Sequence, residues 1–290
     1  MKVGFVGLGA MGQPMACNLN SAGLLTAIWN RTLSKAAALA AELACEAPRT
    51  LAELAAGADV IVTCVSADAD VLQVVDQLVP GIKPGALVID CSTISSVSAR
   101  LAADKLRGIP AFFLDAPVSG GVEGARNASL VVMVGGDKSA FDTAQPIFQA
   151  IGKTATHFGA VGSGQAAKAT NQIMCAGIIQ AVAEAMAFAR AQDLPLETLV
   201  ETLGKGAGSS WYFVHRAPNM IRGSFPAGFR VKLHAKDLTI CREMAARFGV
   251  TLPVVERMLD EYAELIERGY GDEDISAAYR LKAELFNKNI

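Results

Sequence analysis

The 290-residue chain reads as an α/β protein: a mostly parallel, doubly wound sheet, then an all-helical second half reached through one long helix. Three features predict this. Short β-branched runs alternate with helix-period segments from residue 1 to about residue 160, the signature of βαβ units. A glycine-rich turn from Gly7 to Gly12 separates the first strand from the first helix. Beyond Gly162-Ser163-Gly164 the strand-like runs largely stop, and helical spacing continues almost to the C-terminus. The chain exceeds a single domain of roughly 100–200 residues, so two domains are expected, residues 1–162 and 163–290.

In chain order, Val3–Val6, Thr26–Trp29, Val60–Val65, Leu87–Ile89 and Phe112–Leu114 are predicted strands, short and rich in β-branched and aliphatic residues. Between them Pro14–Ala22, Ser34–Leu43, Ala69–Leu78 and Ser95–Leu106 have helical spacing, with Ser or Asp near their starts. A strand over Leu130–Val134, closed by Gly135-Gly136, a helix over Ala140–Ile151 and a strand near Thr154–Phe158 extend the same sheet. The helix over Gln165–Gln192 would be about 40 Å long at 1.5 Å per residue, enough to belong to both domains. Further helices are expected over Leu196–Leu203, Ser210–Met220, Leu233–Phe248, Pro253–Arg268 and Ile275–Phe286, and no internal repeat or low-complexity segment interrupts them.

The hydrophobic fraction of 52% with only 6% aromatic residues describes an interior of Ala, Val, Leu and Ile, which suits packed helices and buried parallel strands. A net charge of −2 provides no positive field for nucleic acid or an anionic membrane. Six dispersed cysteines without a CxxC pair imply reduced core residues and a cytoplasmic protein. Three scattered histidines give no zinc pattern, so no metal is expected. Glycines interrupt the apolar N-terminus, which reads as a strand rather than a signal peptide. Ile173–Ala189 is the most apolar long segment, but Gln180 and Glu184 break it, and it reads as a buried helix rather than a membrane span of ~18 apolar residues.

Gly7-Leu8-Gly9-Ala10-Met11-Gly12 matches GxGxxG directly after a strand and at the opening of a helix, the context that makes it a dinucleotide site rather than a flexible turn. Gly7 permits the tight turn, Gly9 lets backbone approach a pyrophosphate, and Gly12 allows close helix packing. The second strand ends in Asn30-Arg31-Thr32. An acidic residue there would hold a ribose diol and repel a 2′-phosphate; Arg31 instead can pair with that phosphate, with Asn30, Thr32 or Ser34 donating hydrogen bonds. NADP(H) is therefore the expected cofactor, and the alternative is an ordinary solvated arginine at a helix start.

Four separated motifs resemble the β-hydroxyacid dehydrogenase family: GFVGLGAMGQPMACN at residues 4–18, DAPVSGG at 115–121, GSGQAAKATNQ at 162–172 and KDL at 236–238. Their order and spacing are those of the family, and they span nearly the whole chain. The resemblance implies a Rossmann-like N-terminal domain, a 6-phosphogluconate dehydrogenase-like helical domain, and hydride transfer between NADP(H) and a short carboxylated aldehyde or its hydroxy acid. Asn30-Arg31-Thr32 is similar to the NADP-preferring glyoxylate and succinic semialdehyde reductases, and the sequence HAKDL at 234–238 to tartronate semialdehyde reductase. A 3-hydroxyisobutyrate dehydrogenase is the alternative within the family; an imine reductase and a catalytically silent NADP-binding module are more remote.

By the same resemblance Lys168 is the general acid in reduction and the base in oxidation. The chemistry agrees, since hydride arriving at a carbonyl builds negative charge on oxygen, which an ammonium stabilises and then protonates. A free lysine titrates near ~10.4, so desolvation or a neighbouring cation is expected to bring Lys168 toward its working range. Asn171, three residues on, shares its helix face and is expected to fix the substrate oxygen or the ammonium. Gln172 stands where the family usually has a second Asn, which leaves its part open. The resemblance assigns Ser119, Gly120 and Gly121 to the substrate carboxylate, and they follow a strand at the end where α/β sheets bind ligands. It places Thr93 near the nicotinamide and Val65 and Ser66, read as following the fourth strand, along the cofactor cleft. Lys236 is expected to approach both cofactor and substrate, with Asp237 balancing its charge; an ordinary surface Lys–Asp pair is the alternative. Phe229 and Trp211 are candidates for closing the pocket or for core packing, and Cys91 reads as packed rather than nucleophilic. The apolar helical half implies a homodimer or homotetramer.

Overall fold

A computed structural model of the chain describes residues 1–286 and divides it into two compact units, Met1–Lys168 and the remainder from Ala169. In the first unit β1 (Val3–Val6), β2 (Leu25–Trp29), β3 (Val60–Thr63), β4 (Leu87–Asp90) and β5 (Phe112–Asp115) form a parallel array in the order β2-β1-β3-β4-β5. The sheet then becomes mixed: β7 (Leu130–Gly136) runs antiparallel to β5 and to the two-residue β6 (Val118–Ser119), and β8 (Gly152–Gly159) runs parallel to β7. Val132 pairs with both Val118 and Ala155, so β6 and β8 occupy opposite edges of β7.

Every residue of β1, β3 and β4 is buried, as expected for parallel strands covered on both faces. Strand alternation divides them between two cores. Val60, Val62, Leu87 and Ile89 face the layer of α1 (Gly12–Ser21) and α2 (Leu33–Leu43). Ile61 and Val88 face that of α3 (Leu51–Gly57), α4 (Asp68–Leu78) and α5 (Ser96–Leu106).

Several elements differ from those expected. Helix α3 opens on a capping box in which Thr50 accepts from Glu53 N and the Glu53 side chain accepts from Thr50 N. Strand β6 ends at Ser119 and α6 (Gly121–Arg126) begins at Gly121, so the Ser119-Gly120-Gly121 segment joins a short strand to a short helix. The helix expected over Ala140–Ile151 is two, α7 (Lys138–Thr143) and α8 (Gln145–Ile151); Pro146 lacks an N–H, and it therefore sits in the first turn of the second helix rather than inside one.

Helix α9 (Ser163–Ala191) runs from the first unit into the second. The two compact units part inside α9, whose first turn is bonded to strand ends of the sheet. Its 29 residues are long and apolar enough to cross a membrane, yet Ala176, Ile179, Val182, Ala183 and Met186 pack into the core of the helical unit. That unit continues with α10 (Leu196–Leu203), α11 (Trp211–Arg222), α12 (Val231–Ala246), α13 (Pro253–Glu267), a 3₁₀ turn over Ile275–Ala278 and α14 (Tyr279–Glu284). Asp274 caps the 3₁₀ turn, so the final helix expected from Ile275 starts four residues later.

Candidate active site

The chain places β2 on one side of β1 and β3 on the other, so the order reverses at β1 and opens a crevice at the carboxyl ends of β1 and β3. Gly7 lies at that point with φ +96°, its N–H bonded to Trp29 O at 2.9 Å. A Cβ on Gly7 would stand 2.3 Å from Cys64 O, and one on Gly12 would stand 1.9 Å from Gly7 O. Both glycines are thus required by the packing of the turn. Gly9 differs: a Cβ there would meet nothing within 4 Å. The backbone at Gly9 and Ala10 is exposed, and α1 begins at Gly12 with no side-chain cap on its amides. Leu8 is buried and Met11 half-buried, so the turn presents backbone N–H groups to an anion, which fits a dinucleotide pyrophosphate.

At the end of β2, Asn30 Oδ1 accepts from Leu8 N at 3.1 Å, while its Nδ2 donates to Thr32 O at 3.3 Å. Asn30 therefore fixes the glycine turn against the β2 loop. Thr32 is exposed at the start of α2, and Arg31 is exposed with Nη1 3.4 Å from Asp70 Oδ1 on α4. Asp70 was not foreseen, because it lies 39 residues from Arg31 and only the neighbouring βα connection brings it there. Val65 and Ser66 follow β3, the third strand rather than the fourth, and Val65 N donates to Ser92 Oγ at 2.9 Å.

The start of α9 is held by buried polar groups of the same unit. Asp115, at the end of β5, accepts from Gly162 N at 2.7 Å and Gln165 N at 2.9 Å. Burial pushes its carboxyl up to about 6, against the opposing pull of those two N–H groups. Ser96 Oγ donates to Gly162 O at 2.9 Å. Gln165 Oε1 accepts from Ile94 N at 3.2 Å and its Nε2 donates to Ser92 O at 2.8 Å, on either side of half-buried Thr93. Lys168 follows one turn later and is only 6% exposed. The Ser119-Gly120-Gly121 segment has Ser119 paired with Val131, and Gly120 and Gly121 at φ +134° and +62°. Cys91 is buried and its thiol is pushed well above the ordinary range by burial, which leaves it a packing residue.

In the helical unit Asn171 Nδ2 donates to Gln172 Oε1 at 2.8 Å, and Gln172 Nε2 donates to Asp237 Oδ2 at 2.8 Å. The other oxygen of the buried Asp237 carboxylate lies 3.0 Å from Lys236 Nζ. Gln172 thereby gains the part that the sequence left open: it ties α9 to α12 and holds the carboxylate that orients Lys236. Phe229 N donates to Asp274 Oδ2 at 3.0 Å and its ring lies 5.5 Å from His234, whereas Trp211 is exposed and stacks on His215 at 4.2 Å. Among the described residues no group of three His, Cys, Asp or Glu side chains is arranged to hold a metal ion.

Known protein families match both parts of the chain. The model of the NAD binding domain of 6-phosphogluconate dehydrogenase matches residues 2–162. The model of the NAD-binding domain of NADP-dependent 3-hydroxyisobutyrate dehydrogenase matches residues 162–282. The sheet, its glycine turn and these matches together define a nicotinamide dinucleotide-dependent oxidoreductase. The NAD-dependent L-serine dehydrogenase of Pseudomonas aeruginosa is 36% identical, over 97% of both chains. The 2-hydroxy-3-oxopropionate reductase of Escherichia coli is 35% identical over 87% of each. The solved structure of Mycobacterium tuberculosis 3-hydroxyisobutyrate dehydrogenase with L-serine superposes with a TM-score of 0.87 at 33% identity, covering 97% of this chain and 98% of that one. The chain belongs to the β-hydroxyacid dehydrogenase family, whose activity is NAD(P)-dependent hydroxyacid dehydrogenation.

Proposed function

We propose that this enzyme interconverts a short carboxylated aldehyde and its hydroxy acid with NADP(H), glyoxylate, succinic semialdehyde and tartronate semialdehyde being the leading substrates. The observation that carries the reading is a buried amine, Lys168, one turn beyond a helix start bonded to the strand ends where a doubly wound sheet binds ligands.

The glycine turn and the first amides of α1 hold the pyrophosphate, and Arg31 holds the 2′-phosphate with Asn30 and Thr32 beside it. Val65, Ser66 and Thr93 line the nicotinamide end. When bound, the cofactor supplies or accepts the hydride. Lys168 Nζ donates a proton to the carbonyl oxygen in reduction and takes it back from the hydroxyl in oxidation, stabilising the alkoxide in between. Ser119, Gly120 and Gly121 receive the substrate carboxylate, and Asn171 orients the reacting oxygen. Lys236, held by Asp237, adds positive charge for the anionic substrate and the cofactor. A homodimer or homotetramer is part of this reading, supported by exposed apolar side chains such as Met174 and Phe188 on α9. So is a cytoplasmic location, supported by six cysteines of which none is in a disulfide.

A second reading is oxidation of a β-hydroxy acid such as 3-hydroxyisobutyrate or L-serine with NAD. It is favoured by Asp70, whose carboxylate beside Arg31 opposes a 2′-phosphate, and by the L-serine-linked relatives. Comparing kcat/KM for these acids and aldehydes with both cofactors decides between the two. In either case Lys168→Ala is expected to lower kcat by about 10²–10⁴-fold while leaving dinucleotide binding within twofold, the scale of a lost general acid. Wild-type turnover in the folded variant rejects the role of Lys168.

A further inference from the structure

Gln165 is 1% exposed, and its side-chain amide bonds outside its own helix. The start of α9 is already served without it: Asp115 receives the N–H groups of Gly162 and Gln165, and Ser96 serves the Gly162 carbonyl. The Gln165 amide instead reaches the loop after β4, accepting from Ile94 N and donating to Ser92 O. These two backbone groups bracket Thr93. Ser92 extends the connection, since its Oγ donates to Asp90 Oδ1 at 2.6 Å and accepts from Val65 N at 2.9 Å. The Gln165 amide thus joins the helix of Lys168 to the carboxyl end of β4, and the Ser92 hydroxyl carries the connection on to that of β3.

The seat leaves little room for adjustment. A Cβ on Gly164 would lie 2.4 Å from Met133 O and 2.5 Å from Asp115 O, so the helix backbone rests directly on β5 and β7. With sliding blocked there, the remaining freedom is rotation and tilt of the first turn, and the Gln165 amide opposes both. Lys168 is three residues further along the same helix, a rise of about 4.5 Å.

We propose that Gln165 is a positioning residue, which sets the register of Lys168 against the loop at Thr93 so that proton donor and nicotinamide end are held by one amide. The inference rests on the assignments of Lys168 and Thr93 made under the proposed function. It requires a group that both donates and accepts. Met has a similar length but no donor and only a weak acceptor, whereas Glu keeps the acceptor for Ile94 N and loses the donor to Ser92 O.

The test uses the full chain with the cofactor and substrate of highest kcat/KM. Gln165→Met is expected to bind the dinucleotide within about twofold of wild type and keep its KM, while kcat falls about 10²-fold, the effect of roughly 1 Å of misplacement. The deuterium isotope effect from cofactor labelled at the transferred position should rise, because a purely structural loss leaves the hydride step unchanged. Gln165→Glu should fall between wild type and Gln165→Met. A folded Gln165→Met with wild-type kcat and isotope effect overturns the proposal, as does a loss of kcat matched by an equal loss of cofactor binding. Should Gln165→Met not fold, the same measurements on Gln165→Glu take its place, and wild-type kcat and isotope effect there overturn the proposal equally. Lys168→Ala separates the two levels: an active Lys168→Ala sinks the general-acid reading itself, and an inactive one beside a fully active Gln165→Met sinks only this inference.

Discussion

Glycines seven, nine and twelve look equivalent in a motif and differ in their surroundings. Gly12→Ala forces a methyl to 1.9 Å from Gly7 O, so the strand-to-helix turn must open. Gly9→Ala meets open space, so the fold tolerates it while the methyl occupies the approach of a pyrophosphate. Thermal melts and cofactor titrations should therefore separate them: Gly12→Ala lowers Tm by several degrees, and Gly9→Ala keeps Tm but weakens dinucleotide binding about tenfold or more. Equal melting temperatures with equal binding would refute the assignment of the turn. Arg31 shows the limit of reading one residue alone. The missing acid after β2 was visible in Asn30-Arg31-Thr32, but the carboxylate that meets Arg31 belongs to Asp70 on another helix. If Arg31 holds the 2′-phosphate, Arg31→Asp shifts the ratio of kcat/KM for NADPH over NADH toward NADH by about tenfold or more, since attraction becomes repulsion. An unchanged ratio argues for the NAD reading.

Among the elements, α9 gathers most of the chemistry, and its start depends on Asp115. The carboxyl of Asp115 is held near about 6 in the fold, above the ordinary 3.8 of an aspartic acid. Between those values the native state binds more protons than the unfolded chain, so the contribution of Asp115 becomes less favourable as pH rises from about 4 to about 6, then levels off. The full change is on the order of 3 kcal/mol. Denaturation of wild type and Asp115→Asn across pH 4–8 checks this: the stability difference should move against wild type through that window and be flat above it. A difference independent of pH would mean that the carboxyl titrates normally. Helix α3 was missed for a different reason. Its Thr50-x-x-Glu53 box is a local signal that was present in the sequence, hidden only by the shortness of a seven-residue helix. The break between α7 and α8 was equally local, marked by Pro146.

For the molecule as a whole, the amino-acid order alone determined the class of fold, the alternation of strands and helices, the glycine turn, and the candidacy of Lys168. The first three follow from properties of neighbouring residues, β-branched runs, helical periodicity, and glycines where the backbone must turn or be approached, whereas Lys168 was picked out by the resemblance of its motif to the family's. The tertiary structure decided the contacts that cross long sequence distances. Only folding brings Gln165 to Ser92 and Ile94, about seventy residues earlier, and Asp115 to Gly162. It likewise gave Gln172 the task of holding Asp237, 65 residues away. Such partners are chosen by which buried polar groups lack another acceptor or donor once the sheet and helices have packed, and no periodicity along the chain records that choice.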